Sequence, residues 1–217
     1  GHVALRILSN LADRSLYTAR VRYDLPGDVR DAIITANNIA LVDPYRAATH
    51  NKGVMNGIDA VAIATGNDWR AIEAGVHAYA AVSGRYQSLT RWSAAETGDL
   101  LGEITLPLKV GTVGGTLKSN AGAALGLALT GANNAIQLAE LMAAVGLAQN
   151  FAALRALATS GIQAGHMKLH ARSVAASAGT PDAVFDEVVA KLIDSGEIKD
   201  WKAQEILAEI RSPAARV

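Results

Sequence analysis

The 217-residue sequence predicts an α+β fold: buried Ala/Leu-rich helices packed with a small mixed sheet, plus a small C-terminal helical flap. Three observations carry this. From Gly122 to Ala158 the chain is Ala/Leu-rich with few charges, broken at Gly131-Ala132-Asn133-Asn134, and helices apolar nearly all round are buried helices. Short runs around 19–23, 88–92 and 100–106 have the composition and spacing of strands. After Thr180 the sequence turns to short, charged, amphipathic helices, which predicts a small appendage. The expected division is a main domain over 1–160 and a flap over 161–217.

Residues 3–23 read as a strand, a polar turn at Asn10 to Ser15, and a second strand, Ala19 to Tyr23. In the latter, Arg alternates with Val or Tyr to give one wet and one dry face. Leu25-Pro26-Gly27-Asp28 is a turn signal. Asp28 to Ala40 is amphipathic enough for a helix, with Val29, Ile33, Ile34 and Ala36 on one side. It ends at Val42-Asp43-Pro44, because a residue before proline is pushed out of the α region.

The stretch His50 to Arg70 reads as loop, strand and helix. Gly53, Asn56 and Gly57 interrupt regular structure around Lys52. Ala60 to Thr65 is continuously apolar, in the manner of a core strand covered on both faces. Gly66-Asn67-Asp68 then breaks it, with Asp68 or Asn67 placed to cap the next helix. A lysine before a buried strand and an aspartate after it are expected to meet in one pocket. Arg70 to Val82 is helical, and Ser83-Gly84 stops it. Strands at Ser88 to Trp92 and Leu100 to Leu106 are joined by a polar turn around Glu96 to Asp99. A glycine-rich segment, Val110 to Thr116, follows. Gly161 to Ala178 is a helix rich in His, Met, Lys and Arg. Thr180-Pro181-Asp182 is a cap with an early proline, Ala183 to Ser195 is helical and ended by Gly196, and Trp201 to Ile210 makes a last helix.

Composition narrows the class. Half the residues are apolar, enough for a sizeable core. A formal net charge of zero argues against nucleic acid or a membrane surface as a partner held by bulk electrostatics. The absence of cysteine excludes disulfides and thiolate metal sites. The start lacks the pattern of a signal peptide, and no run is read as a transmembrane helix, so a soluble cytoplasmic protein is expected. The chain opens without methionine straight into Val3-Ala4-Leu5, as expected of the downstream part of a longer polypeptide.

Read alone, most candidate site residues have an ordinary explanation. Lys52 is a surface lysine, or a cation partly desolvated among glycines. Asp68 is a helix cap. Arg46 is a solvated charge at a helix end. Gln149 and Asn150 are polar residues of a buried helix, more often core hydrogen-bonders than ligands. Gly111, Gly114 and Gly115 of VGTVGG can cradle a phosphate or serve close backbone packing, and their spacing is neither a dinucleotide fingerprint nor a P-loop. His166 and His170 lie at i, i+4, a spacing that can chelate a metal; no third ligand is evident, so no metal is expected and His170 is read as a satisfied structural histidine.

The motifs taken together say more. HNKGVMNG followed by ATGNDWRA, DPYRAATHNKG at 43–53, LPLKVGTVGG at 106–115, AVGLAQN at 144–150 and GHMKLHAR at 165–172 resemble the class II hydroxymethylglutaryl-coenzyme A reductases, in the family's order over nearly the whole chain. The resemblance implies a reductase that interconverts hydroxymethylglutaryl-CoA with mevalonate, using NADH or NADPH, with coenzyme A as part of the substrate. It implies that Lys52 stabilises the oxyanion formed when hydride reaches the thioester carbonyl, and that Asp68, hydrogen-bonded to it, keeps the lysine charged. His166, carried on the flap of 161–217, protonates the departing thiolate. Arg46 grips the substrate's free carboxylate, Thr49 and Asn56 add polar contacts, and Gln149 borders the substrate. The family's catalytic glutamate and nucleotide-binding segment lie upstream of residue 1, so no cofactor-binding residue is assigned. The family commonly has arginine where this chain has Ala164, which removes a positive charge near coenzyme or substrate. Family members form dimers with sites at the interface, so a homodimer is implied. The alternative is a non-catalytic acyl-CoA-binding or dimerisation fragment.

Overall fold

The computed structural model describes residues 1–114, 119–159 and 162–211, leaving aside the side chains of 162–166 and Arg211. In chain order the elements are β1 (Leu16–Tyr23), α1 (Gly27–Val42), α2 (Pro44–Ala64), α3 (Trp69–Ala80), β2 (Thr90–Ala94), β3 (Leu100–Pro107), α4 (Ala121–Thr130), α5 (Ala135–Ala158), α6 (Ile162–Ser177), a 3-10 turn (Asp182–Val184), α7 (Phe185–Ser195) and α8 (Asp200–Arg211). The chain divides into two compact units, Gly1–Ala158 and Thr159–Val217.

In the first unit the fold is α+β, and α5 is its axis. Leu138, Met142, Leu147 and Leu154 of α5 are fully buried or nearly so, and each such side chain contributes roughly 1.5–3 kcal/mol of burial free energy. α2 lies along α5 at backbone-close range, because a Cβ on Gly57 would meet Val145 and Gln149 at 3.0–3.1 Å, and one on Gly146 would meet Ile58 at 2.9 Å. α5 is also the one helix among the described residues long and apolar enough to cross a membrane; here it is the core helix.

The sheet is wholly antiparallel, in the order β1-β3-β2, with Leu16 opposite Pro107 and Thr90 opposite Ile104. Along β1 the wet face carries Arg20 and Arg22, which pair with Glu103 and Asp99. The dry face carries Tyr17, Ala19, Val21 and Tyr23 toward the core. Tyr23 stacks on Phe151 of α5 at 4.0 Å between ring centroids, and Trp92 completes the aromatic layer.

Three expectations need correction. Val3 to Leu8 forms no strand and is exposed, so β1 pairs with β3 and not with an earlier strand. The apolar run Ala60 to Thr65 is not a strand: it is the last turn and a half of the 21-residue helix α2. The region from Gly122 is not buried throughout. Of α4 only Ala123 is buried, while Leu125 and Leu129 are 62% and 79% exposed. Its contact with α2 is made through Gly126, where any Cβ would strike the Ala64 carbonyl.

The second unit has its own core, built from Ala171 and Ala175 of α6, Val188, Val189 and Leu192 of α7, and Ala203, Ile206 and Leu207 of α8. Arg172 pairs with Asp186 at 2.8 Å and lies over the Phe185 ring at 5.0 Å, tying α6 to α7. Gly196, in the left-handed region at φ 69°, ends α7.

Candidate active site

α2 is set by its ends and its buried side. Asp43, extended before Pro44, accepts from the backbone N–H of Tyr45 at 3.0 Å and of Arg46 at 3.3 Å, and proline occupies the first turn. Gly53 and Gly57 each cost about 1 kcal/mol against alanine inside a helix. Packing of Ala47, Val54, Met55, Ile58 and Ala62 against the core outweighs that cost.

The opposite face of the helix gathers the predicted residues. Thr49, Lys52 and Asn56 are all exposed and recur at i, i+3 and i+7, so they form one stripe. Gln149 of α5, also exposed, adjoins the stripe through its Cβ at Gly57. Lys52 is not desolvated as expected, and among the described residues no hydrogen bond or ion pair engages it. Arg46 is half-buried one turn earlier. Burial holds its guanidinium pKa below the ordinary value, which leaves a cation poised for an anionic partner.

Asp68 caps α3: its Oδ1 accepts from Arg70 N at 3.1 Å and Ala71 N at 3.2 Å. Its Oδ2 has no partner among the described residues. The preceding Asn67 side chain locks onto Gly111, accepting from Gly111 N at 2.8 Å and donating to Gly111 O at 3.2 Å. Both polar groups of that glycine are therefore engaged, but no close packing is seen at Gly111 or Gly114, both exposed; Gly115 lies outside the described residues. The 112 region, α4 and the turn after it border a cleft of about 380 Å³ lined by Thr112, Ala124, Leu127 and Asn133.

Lys52 and Asp68 do not meet within one chain. From Lys52 to Ala64 is twelve residues of continuous helix, about 18 Å at ~1.5 Å per residue, and Asp68 lies beyond that end. The expected convergence rested on a short strand between two loops. A helix through Lys52 replaces a hinge with a rigid rod.

Behind the stripe is a buried polar network, of which the sequence reading singled out only Asn150 as a core hydrogen-bonder. His50 Nε2 is 2.7 Å from Thr90 Oγ1 and 3.0 Å from Asn150 Nδ2, and Asn150 Oδ1 accepts from Trp92 Nε1 at 2.9 Å. Asn51 accepts from Leu89 N at 2.9 Å and donates to Gln87 O at 2.8 Å. Burial, followed by the Arg46 charge, lowers the His50 pKa to about 4, so the ring is neutral. With the stretch read as a helix, His50 and Asn51 fall on the buried side with Ala47 and Val54; the glycines hid that periodicity. A second polar cluster, Asp59, Glu73, His77 and Tyr86, was also missed.

His166 lies on α6, and its side chain is outside the described residues. His170 is exposed, so it is not held in a core as expected. Among the described residues no three His, Asp or Glu side chains are gathered as a metal would need.

Comparison with known proteins follows the same lines. The family model described as hydroxymethylglutaryl-coenzyme A reductase matches residues 1–171. The 3-hydroxy-3-methylglutaryl-coenzyme A reductase of Archaeoglobus fulgidus is 50% identical over 216 residues, covering 98% of this chain and 49% of that protein. The probable 3-hydroxy-3-methylglutaryl-coenzyme A reductase of Borreliella burgdorferi is 41% identical over 181 residues, covering 78% of this chain and 41% of that protein. Among solved structures, 3-hydroxy-3-methylglutaryl-coenzyme A reductase from Streptococcus pneumoniae superposes with a TM-score of 0.69 at 46% identity, covering 94% of this chain and 51% of that one. The class II enzyme of the same organism, bound to NADPH in open conformations, gives 0.68 at 47% identity, covering 94% and 52%. The chain spans about half the length of the curated relatives it matches.

Proposed function

The chain belongs to the hydroxymethylglutaryl-coenzyme A reductase family, and from that premise we propose that it is the substrate-binding and catalytic portion of a class II enzyme. The reaction is hydroxymethylglutaryl-CoA + 2 NAD(P)H + 2 H⁺ ⇌ mevalonate + CoA + 2 NAD(P)⁺. The observation that carries this reading is the exposed α2 stripe, where Thr49, Lys52 and Asn56 stand in line beside Gln149 with the Arg46 cation one turn away. An accessible ammonium among neutral polar groups suits the oxyanion that forms when a thioester carbonyl accepts hydride. Arg46 suits the free carboxylate of the acyl group.

When bound, the nicotinamide cofactor supplies the hydride. No residue here is assigned to hold it, since Gly111 is occupied by Asn67. His166, on the unit from 159 onward, is the proton donor to the leaving thiolate, and that unit is the flap that excludes water. The enzyme acts in the cytoplasm.

The site is completed by a second copy. Lys52 and Asp68 stand eight positions on either side of Ala60, which is itself exposed on α2. Two α2 helices running antiparallel across a two-fold axis near Ala60 set Lys52 of one copy against the partner's Asp68, and the reverse, as an isologous interface requires. The rigidity of α2, which separates the pair within a chain, favours this arrangement.

Mixed dimers test it. Lys52→Ala and Asp68→Ala are each expected to abolish mevalonate-dependent reduction of NAD(P) in the complete enzyme. Co-expressed, they should recover about a quarter of the sites, because half the dimers are mixed and each mixed dimer keeps one intact site. Zero recovery refutes the shared site, and ordinary turnover by the Lys52→Ala homodimer refutes the lysine's role. The second reading, an acyl-CoA-binding or dimerisation fragment, draws on the half-length match. It would show as a thermal shift with CoA and no turnover.

A further inference from the structure

Away from the stripe, α2 carries Asp59, whose carboxyl lies within interaction range of the carboxyl of Glu73 on α3. Two carboxyl groups can hydrogen-bond to each other only when one of them holds a proton. Asp59 Oδ1 is buried, and no N–H or hydroxyl donor among the described residues reaches it. Glu73 Oε2 in turn lies 2.7 Å from His77 Nε2, His77 Nδ1 lies 2.7 Å from Tyr86 Oη, and the two rings stack at 6.0 Å between centroids. Tyr86 also lies within interaction range of the side chain of Asn51, which returns the chain to α2 beside Lys52.

The hydrogens fit one direction. Asn51 Nδ2 has two: one goes to Gln87 O at 2.8 Å, and the other is available to Tyr86 Oη. The tyrosine O–H donates to His77 Nδ1, and His77 Nε2–H donates to Glu73. A neutral imidazole satisfies both ends, and burial lowers the His77 pKa from its ordinary value.

We propose that Asp59 and Glu73 hold a single shared proton, forming with His77, Tyr86 and Asn51 a proton-dependent brace between α2 and α3 that positions the Lys52 segment. The groups that act on Asp59 are Glu73 and His77, both from α3. Tyr86 faces His77 from the following loop. α4, which also packs on α2, has no charged residue, and the charges of α1 (Asp28, Arg30, Asp31) and α5 (Glu140, Arg155) do not figure in the Asp59 interactions. Burial first, then Glu73, raises the Asp59 pKa to about 7, so the proton is lost within the physiological range and the two carboxylates then repel.

The link to Lys52 rests on the reading of the preceding subsection; the shared proton does not. Carboxyl-carbon NMR on the wild-type chain tests the proton without any assay of turnover: a titration assigned to the Asp59–Glu73 pair is expected near pH 7. In Asp59→Asn that titration disappears, and the variant's thermal midpoint gains on the wild type as pH rises from 5 to 8. If Asp59 titrates with ordinary carboxylates near about pH 4, or if the Asp59→Asn difference is flat with pH, the shared proton is refuted. Tyr86→Phe keeps the shared proton but cuts the connection to Asn51. It should lower kcat of the complete enzyme several-fold with KM little changed and the carboxyl titration intact. Unchanged kcat with an intact titration refutes the positioning role and leaves both the enzyme assignment and the shared proton standing.

Discussion

Asn150 Nδ2 and His50 Nε2 meet at 3.0 Å in the interior, although 100 positions separate them in the chain. The contact joins α5 to α2 directly behind the exposed face that carries Lys52. His50 Nε2 faces both Asn150 Nδ2 and Thr90 Oγ1, while Nδ1 is buried without a partner among the described residues. Thr90 and Trp92 bind to the same asparagine through its Oδ1.

Asn150→Ala therefore strips partners from three side chains at once. Each buried polar group left unpaired costs about 1–3 kcal/mol, and the members share partners, so the costs do not add in full. A loss of about 2–4 kcal/mol is expected, read as a lower urea midpoint with little change in slope. A loss below about 0.5 kcal/mol, the ordinary surface range, would contradict the network.

His50 gives the fold an acid-sensitive limb. Its folded pKa of about 4 lies below the ordinary 6.5, so between these values the unfolded chain binds a proton that the folded chain refuses. Stability from this residue is complete above about pH 6.5 and falls as pH drops toward 4. Each pH unit is worth about 1.4 kcal/mol, for a total on the order of 3 kcal/mol. Asp59 acts in the opposite sense over much of the same window: its raised pKa gives stability that is full below about 3.8 and lost as pH rises through about 7. The wild-type profile is thus flatter than either limb. Comparing His50→Gln with wild type from pH 7 to 4 isolates the histidine, and the wild-type advantage should shrink on acidification.

Gly102 lies under the Trp92 ring, which occupies the space a Cβ would need. Gly102→Ala must displace an indole whose Nε1 is hydrogen-bonded to Asn150. Overpacking of this kind costs about 1–3 kcal/mol. Of the three tryptophans only Trp92 is buried, so a red-shifted fluorescence maximum should accompany the loss.

Lys52 and Asp68 separate stability from chemistry. Lys52→Ala should leave the thermal midpoint within about 0.5 kcal/mol of wild type, because the side chain is exposed and unengaged. Asp68→Ala removes the α3 cap at a cost of about 1 kcal/mol, whereas Asp68→Asn retains a capping oxygen. If Asp68→Asn keeps the wild-type midpoint and loses turnover, the carboxylate charge acts in the reaction and not only in the cap.

The α1 helix ending at Asp43, the α3 cap at Asp68, the alternation of β1 and the C-terminal stop at Gly196 were all legible, because each depends on local backbone chemistry. Likewise, the motifs around Lys52 and Asp68 were enough to place the chain near its family. The strand read at Ala60 to Thr65 was not a local error. Six apolar residues suit a strand or a buried helix equally, and glycines at 53 and 57 argued against the helix that α5 stabilises by packing on Gly57.

The sequence by itself determined which residues are candidates, since residue type and short-range spacing decide caps, turns and motifs. Tertiary structure alone decided which candidates share a face, that the lysine sits within one rigid helix with the aspartate beyond its end, and that His50 is buried against Asn150. Those outcomes depend on packing between segments far apart in the chain, where the free energy of burial overrides local preference.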